Sequence, residues 1–182
     1  MTMQKTISLL GLCLAATAVQ AADLSIALSD KMVSLDYVGP TQNGSLQMNM
    51  GGLHHSDNGD MASLGVQVSQ SVNPQVQASV GFKGVGLFND RKNSAVIALG
   101  GSVNAALPMV PKLYLGAHAW FAPSVVSFNQ VKNFRDVGAQ LSYRLLDNAA
   151  LFVGYRHVQV NYDNSVNLKL FKGAQAGLQL TF

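Results

Sequence analysis

The 182-residue chain is 48% hydrophobic and only 12% charged, well below the roughly 25% charged content of an ordinary soluble domain. All nine acidic residues are aspartates, and a chain without glutamate lacks a favoured residue of solvent-exposed helices, which disfavours helical bundles and coiled coils. The formal charge of +3 is too small and too scattered to imply nucleic acid, and no nucleic-acid partner is expected.

At the N-terminus, Lys5 precedes an apolar stretch from Ile7 to Val19 that closes on Val19, Gln20 and Ala21, the small-residue pattern a signal peptidase reads. Residues 1–21 are expected to be a signal peptide cleaved after Ala21, and residues 22–182 a single domain. The stretch is too short and alanine-rich to anchor the chain as a membrane helix. Cys13 follows Leu12 rather than a small residue, so lipidation is not expected. It is the only cysteine, and its removal leaves neither a disulfide nor a thiolate metal site. Loss of Lys5 leaves eleven basic and nine acidic side chains. No later apolar run approaches the roughly 20 residues of a helical span.

After the leader, apolar residues recur at every second position, the signature of strands rather than helices. Leu24 to Leu28 predicts a short first strand, a tight turn follows at Ser29 and Asp30, and a second strand ends near Val38. Leu46, Met48 and Met50 share one face of the next segment. Ala62, Leu64, Val66 and Val68 follow, then Val76, Ala78, Val80 and Phe82. Further along come Ala95, Ile97 and Leu99 with Val103 and Ala105, and after them Leu113, Leu115, Ala117, Ala119 and Phe121. Val137, Ala139, Leu141 and Tyr143 precede Leu151, Val153 and Tyr155, and the chain closes with Ala174, Ala176, Leu178, Leu180 and Phe182.

Soluble sandwiches alternate too, so the connections carry the distinction. Short links at Gly39 to Asn43, Ser71 to Pro74, Leu107 to Pro111 and Leu145 to Asn148 take turns with more polar or longer ones. The latter run from His54 to Asp60, Leu87 to Asn93, Ala122 to Asn133 and Asn161 to Asn167. Short turns at one end and longer loops at the other mark an up-and-down outer-membrane barrel. Pro123 sits where a strand should stop, because proline cannot continue the ladder. The terminal aromatic Phe182 matches the address by which a last strand engages barrel-assembly machinery, and hydrocarbon demands a wall with no open edge. The expected fold is all-β, a closed antiparallel up-and-down transmembrane barrel of eight to ten strands. Parity counted back from a periplasmic Phe182 favours ten; the alternative is eight strands with the N-terminal segment tucked inside.

With the apolar set facing lipid, the lumen receives Asp36, Gln47, Asn49, Gln67, Gln77, Lys83, Asn104, His118, Asp136, Gln140, Arg144, Arg156, Gln175 and Gln179. Asp36, Asp136, Lys83, Arg144 and Arg156 are expected to form a structural polar plug, since unpaired buried charge is costly. Inward glycines, including Gly65, Gly81, Gly100, Gly116, Gly138, Gly154 and Gly177, leave room for a narrow water path. His54 and His55 with Asp57 and Asp60 offer imidazole and carboxylate in one loop, but adjacent residues of an extended segment point apart, so no metal site is expected. His118 is expected to be a satisfied lumen donor, and His157 an interfacial side chain at the outer rim beside Tyr155. A glutamate-assisted triad is impossible here, and no serine carries a nucleophile signature. No catalytic, cofactor or metal residues are assigned, and the protein is not expected to be an enzyme.

The stretch 120–160 is more specific than alternation. Ala122-Pro123 followed by Val126-Ser127-Phe128, then Gly138-Ala139, Leu145-Leu146, Asn148-Ala149 and Val153-Gly154-Tyr155-Arg156 resemble the YfaZ family of Gram-negative outer-membrane proteins. That resemblance implies an exported barrel of the cell outer membrane whose physiological role is poorly defined, and it carries over no catalytic residues. The leading expectation is a small, monomeric barrel of structural or narrow-pore type in contact with outer-membrane lipid. A surface-binding barrel acting through Ala122 to Asn133 is the first alternative, because Val125, Val126 and Phe128 are apolar for an exposed link; packing over the barrel mouth is the other reading of those side chains. A lipid-directed hydrolase using His118 or His157 is the second.

Overall fold

In a computed structural model, residues 22–41, 45–89, 93–127, 131–162 and 167–182 are described, and the alternating segments form ten strands. These are β1 (Asp23–Leu28), β2 (Met32–Pro40), β3 (Leu46–His55), β4 (Gly59–Asn73), β5 (Val76–Phe88), β6 (Ser94–Ala106), β7 (Leu113–Pro123), β8 (Val131–Leu146), β9 (Ala149–Tyr162) and β10 (Asn167–Thr181). Every strand pairs antiparallel with its sequence neighbours, and β1 closes the barrel against β10. Asp23 opposes Thr181 and Leu28 opposes Ala176, so the short first segment is part of the wall. The eight-stranded alternative is thereby excluded. The expected leader lies outside the described residues.

Closure satisfies the backbone of every strand by a neighbour, the condition hydrocarbon imposes. Side-chain orientation follows the strand period. Leu64, Val80 and Leu141 are 57%, 68% and 40% exposed on the outer surface, the face an outer-membrane barrel turns to lipid. They do not meet in a protein core. An even strand number puts both termini at one end, where Phe182 N–H donates to Ala22 O at 2.9 Å; with Phe182 expected on the periplasmic side, this end is termed inner and the other outer. Local chemistry sets the turns. Asn73 Oδ1 accepts from the backbone N–H groups of Gln75 and Val76, at 2.9 and 2.8 Å, closing the tight β4–β5 turn around Pro74. Gly59 has φ +101°, and a Cβ there would lie 2.3 Å from Phe88 O, so only glycine fits where β4 begins.

At the outer end the strands run further than their composition suggests. The polar links expected from His54, Leu87, Ala122 and Asn161 shorten, because β3 continues to His55, β5 to Phe88 and β9 to Tyr162 while β8 starts at Val131. Polar residues there are paired strand, and His54 and Asp60 turn their side chains outward to water. Pro123 ends β7 as expected, and a single 3-10 turn at Ser124–Val126 follows it.

Candidate functional site

Inside the wall the lumen has three tiers. At the centre, β8 points Asp136 inward, fully buried at 0% exposure. Its carboxylate is met by three side chains. Arg156 from β9 donates through Nε to Oδ1 and through Nη2 to Oδ2, both at 2.9 Å. Lys83 from β5 donates to Oδ2 at 3.0 Å, with its ammonium 4.8 Å from the centroid of the Trp120 ring. His118 Nε2 from β7 lies 3.2 Å from Oδ1. Arg156 also reaches Asp36 on β2 through Nη1 at 3.4 Å. Strands β5, β8, β9 and β2 are spread around the wall, so Lys83, Asp136, Arg156 and Asp36 form a chain of alternating charge across the lumen.

Two cations and two carboxylates balance, and the forked guanidinium fits a carboxylate edge bidentately. Desolvating these ions offsets much of their attraction, so the chain specifies an arrangement more than it adds net stability. The sequence reading anticipated Asp36, Lys83, Asp136 and Arg156 as a polar plug and His118 as a lumen donor, and the structure brings these five together. Arg144 is the exception. It lies at the inner mouth, its guanidinium 4.7 Å from the Tyr114 ring centroid, too far down β8 to join the chain.

Towards the inner end the lumen is lined by amides and hydroxyls. Gln67 donates to Gln47 Oε1 at 3.0 Å, Asn49 donates to Gln67 Oε1 at 3.4 Å, and the hydroxyls of Ser79 and Ser102 are 2.7 Å apart. A cavity of ≈ 410 Å³ opens at the mouth between Asp23, Tyr114, Arg144 and Gln179, and a further ≈ 160 Å³ lies beside Asp36, Gln77 and Gln140. The outer third is the opposite. Met32, Leu53, Met61, Val85, Leu87, Val96, Trp120, Phe134, Val158, Val160, Leu170 and Phe171 pack there as a buried apolar core. Sequence reasoning assigned the lumen to polar residues and missed this core.

At two of the inward glycines the missing side chain marks close backbone approach rather than a water path. A Cβ on Gly81 would lie 2.1 Å from Val66 O, and one on Gly100 would lie 2.0 Å from Ala119 O. These glycines let the neighbouring strand's backbone approach closely.

The histidine loop behaves as extended chain should. His54 is exposed and pairs with Asp60, whereas His55 turns inward, its ring centroid 6.3 Å from that of Phe171. Asp57 bonds Lys31 instead, at 2.8 Å. No metal-binding cluster occurs among the described residues. His157 projects from the outer surface of β9, with Nε2 shielded from solvent and unpartnered. In the β7–β8 link, Val126 packs on the apolar core while Val125 is 89% exposed; Phe128 lies outside the described residues.

A closed wall of antiparallel neighbours, apolar outside and ionic at its centre, defines an integral outer-membrane barrel. The chain belongs to the YfaZ family: the YfaZ precursor family model matches residues 1–182. No curated protein matches it. Among solved structures it is similar in fold to the outer-membrane protease OmpT from Escherichia coli, with TM-score 0.53 and 8% identity over 89% of this chain and 92% of that one. A KdgM porin aligns with TM-score 0.48 and 11% identity over 90% of this chain and 99% of that one. The outer-membrane channel DcaP of Acinetobacter baumannii aligns with TM-score 0.48 and 9% identity over 87% of this chain. The chain spans only 54% of DcaP.

Proposed function

We propose that this protein is a porin-like barrel of the Gram-negative outer membrane whose lumen is shut, serving a structural rather than a freely conducting or enzymatic role. The observation that carries the reading is the chain Lys83, Asp136, Arg156, Asp36 across the lumen, capped on its outer side by the apolar core. Ions entering the inner cavity meet first a balanced ionic bridge and then a dry zone, and neither solvates a passing charge. Against catalysis stands the setting of the histidines. Among the described residues none hydrogen-bonds a serine, and His118 is engaged with Asp136. Purified protein in planar bilayers tests the reading: silence at all voltages is expected, and steady current through the wild-type barrel overturns it. The hydrolase alternative predicts altered lipid A or phospholipid on overexpression, abolished by His118→Ala or His157→Ala; unchanged lipids are expected.

A further inference from the structure

The outer surface has a charged sector that the closed lumen does not use. On β8, β9 and β10 the outward positions in the middle of the wall are apolar: Leu141, Val153 and Ala176 lie side by side. Two steps further out, at the top of this belt, Val137 pairs with His157 and His157 with Lys172; the next outward row brings together Arg135, Gln159 and Lys169. Lys132 is exposed one turn of the ladder beyond. Arg135, Lys169, Lys172 and Lys132 are all exposed, and among the described residues none of them pairs with a carboxylate. On the opposite wall the same level is balanced, because Lys31 faces Asp57 and His54 faces Asp60.

A one-sided cluster of cations at the top of an apolar belt sits where lipid headgroups begin. Long lysine stems can lie along the acyl boundary while their ammonium groups reach outward, and arginine meets phosphate with a matched fork. We infer that the surface formed by Arg135, Lys169 and Lys172 binds the phosphate groups of an anionic glycolipid in the outer leaflet. The site is separate from the closed lumen, so each stands or falls without the other.

The test is titration of the full-length barrel in neutral detergent with bisphosphorylated lipid A, bound lipid being counted by native mass spectrometry. Lys172→Ala is expected to weaken binding roughly fivefold, and the triple variant Arg135→Ala, Lys169→Ala, Lys172→Ala about a hundredfold, in line with about one kcal/mol for each basic residue near an anionic surface. Lys112→Ala, at the inner end, should bind as the wild type does. Heat-modifiable gel mobility shows that each variant remains folded. The inference is overturned if the folded triple variant binds within twofold of wild type, if dephosphorylated lipid A binds equally well, or if inorganic phosphate alone displaces the lipid.

Discussion

The membrane-spanning and outer segments of this barrel are inverses of each other. In β9, Leu151, Val153 and Tyr155 face outward around the inward Arg156, yet beyond that arginine Val158 and Val160 are buried inside while His157 and Gln159 face out. The change of phase recurs in β8, where Leu141 and Ala139 face lipid but Phe134 faces in between the exposed Asn133 and Arg135. One continuous strand therefore obeys two rules. Facing acyl chains it puts its apolar side outward; facing water it keeps that side within, as any soluble barrel does. The ionic chain at Asp136 marks the crossing between the two regimes.

The largest effect should come from the crossing itself. Asp136→Ala leaves Lys83 and Arg156 without their shared carboxylate in the closed lumen, and stability should fall by about 4 kcal/mol, measured as the urea midpoint in detergent micelles. An unchanged midpoint would show that water reaches the centre and that the two regimes are not separated there. Next, Leu87→Ala opens a hole in the outer core, at a cost of about 3 kcal/mol. If Leu87→Ala were instead silent, the outer segment would have no packed interior and the inversion would be only a pattern of letters.

Lipid-facing positions sharpen the contrast from the other side. Leu64→Arg should cost about 2 kcal/mol in bilayers, because a cation is carried into the acyl region. Arginine already stands outward at Arg135, 5.6 Å from the Phe121 ring centroid. Equal tolerance at both positions would place Leu64 outside the hydrocarbon. In the inner cavity Gln77→Ala should change the urea midpoint by about 0.5 kcal/mol or less, since the side chain borders open space rather than a packed neighbour.

How much of this was legible in the sequence follows from the same inversion. Strand period, closure and the placement of Lys83, Asp136 and Arg156 inside could be read because, in the membrane belt, glycines, amides and charges alternate cleanly with Leu, Val and Phe. The outer core escaped notice although its signal is present in Arg156-His157-Val158-Gln159-Val160 and in Asn133-Phe134-Arg135. Both stretches are still period two but shifted by one residue, and a polar outward face has the composition of a loop. Glycines misled for a different reason. An absent side chain marks either space or close approach, and only the positions of Val66 O and Ala119 O identify the latter at Gly81 and Gly100. The cation–ring contact of Lys83 with Trp120 and that of Arg144 with Tyr114 depend on lumen geometry that spacing along one strand does not contain.

The smallest effect belongs to the pair Lys31–Asp57 on the outer rim, and it isolates the role of the surroundings. A side-chain hydrogen bond with Lys31 holds the Asp57 carboxyl below its ordinary value, and the same bond raises the Lys31 ammonium above its own. The Asp57 contribution is therefore present above the unfolded carboxyl value and lost as pH falls through the lowered one. The Lys31 contribution is present below the unfolded lysine value and lost as pH rises through the raised one. Across neutral pH neither changes. Both side chains are more than half exposed, so salt and water screen the pair. Asp57→Asn should leave the urea midpoint where it was at pH 7 in both low and high salt. The N···O distance of 2.8 Å in this pair is no longer than the 2.9 Å between Arg156 and Asp136. Bond length is thus matched, and a null result here beside a large one for Asp136→Ala would trace the difference to the environment on either side of the wall.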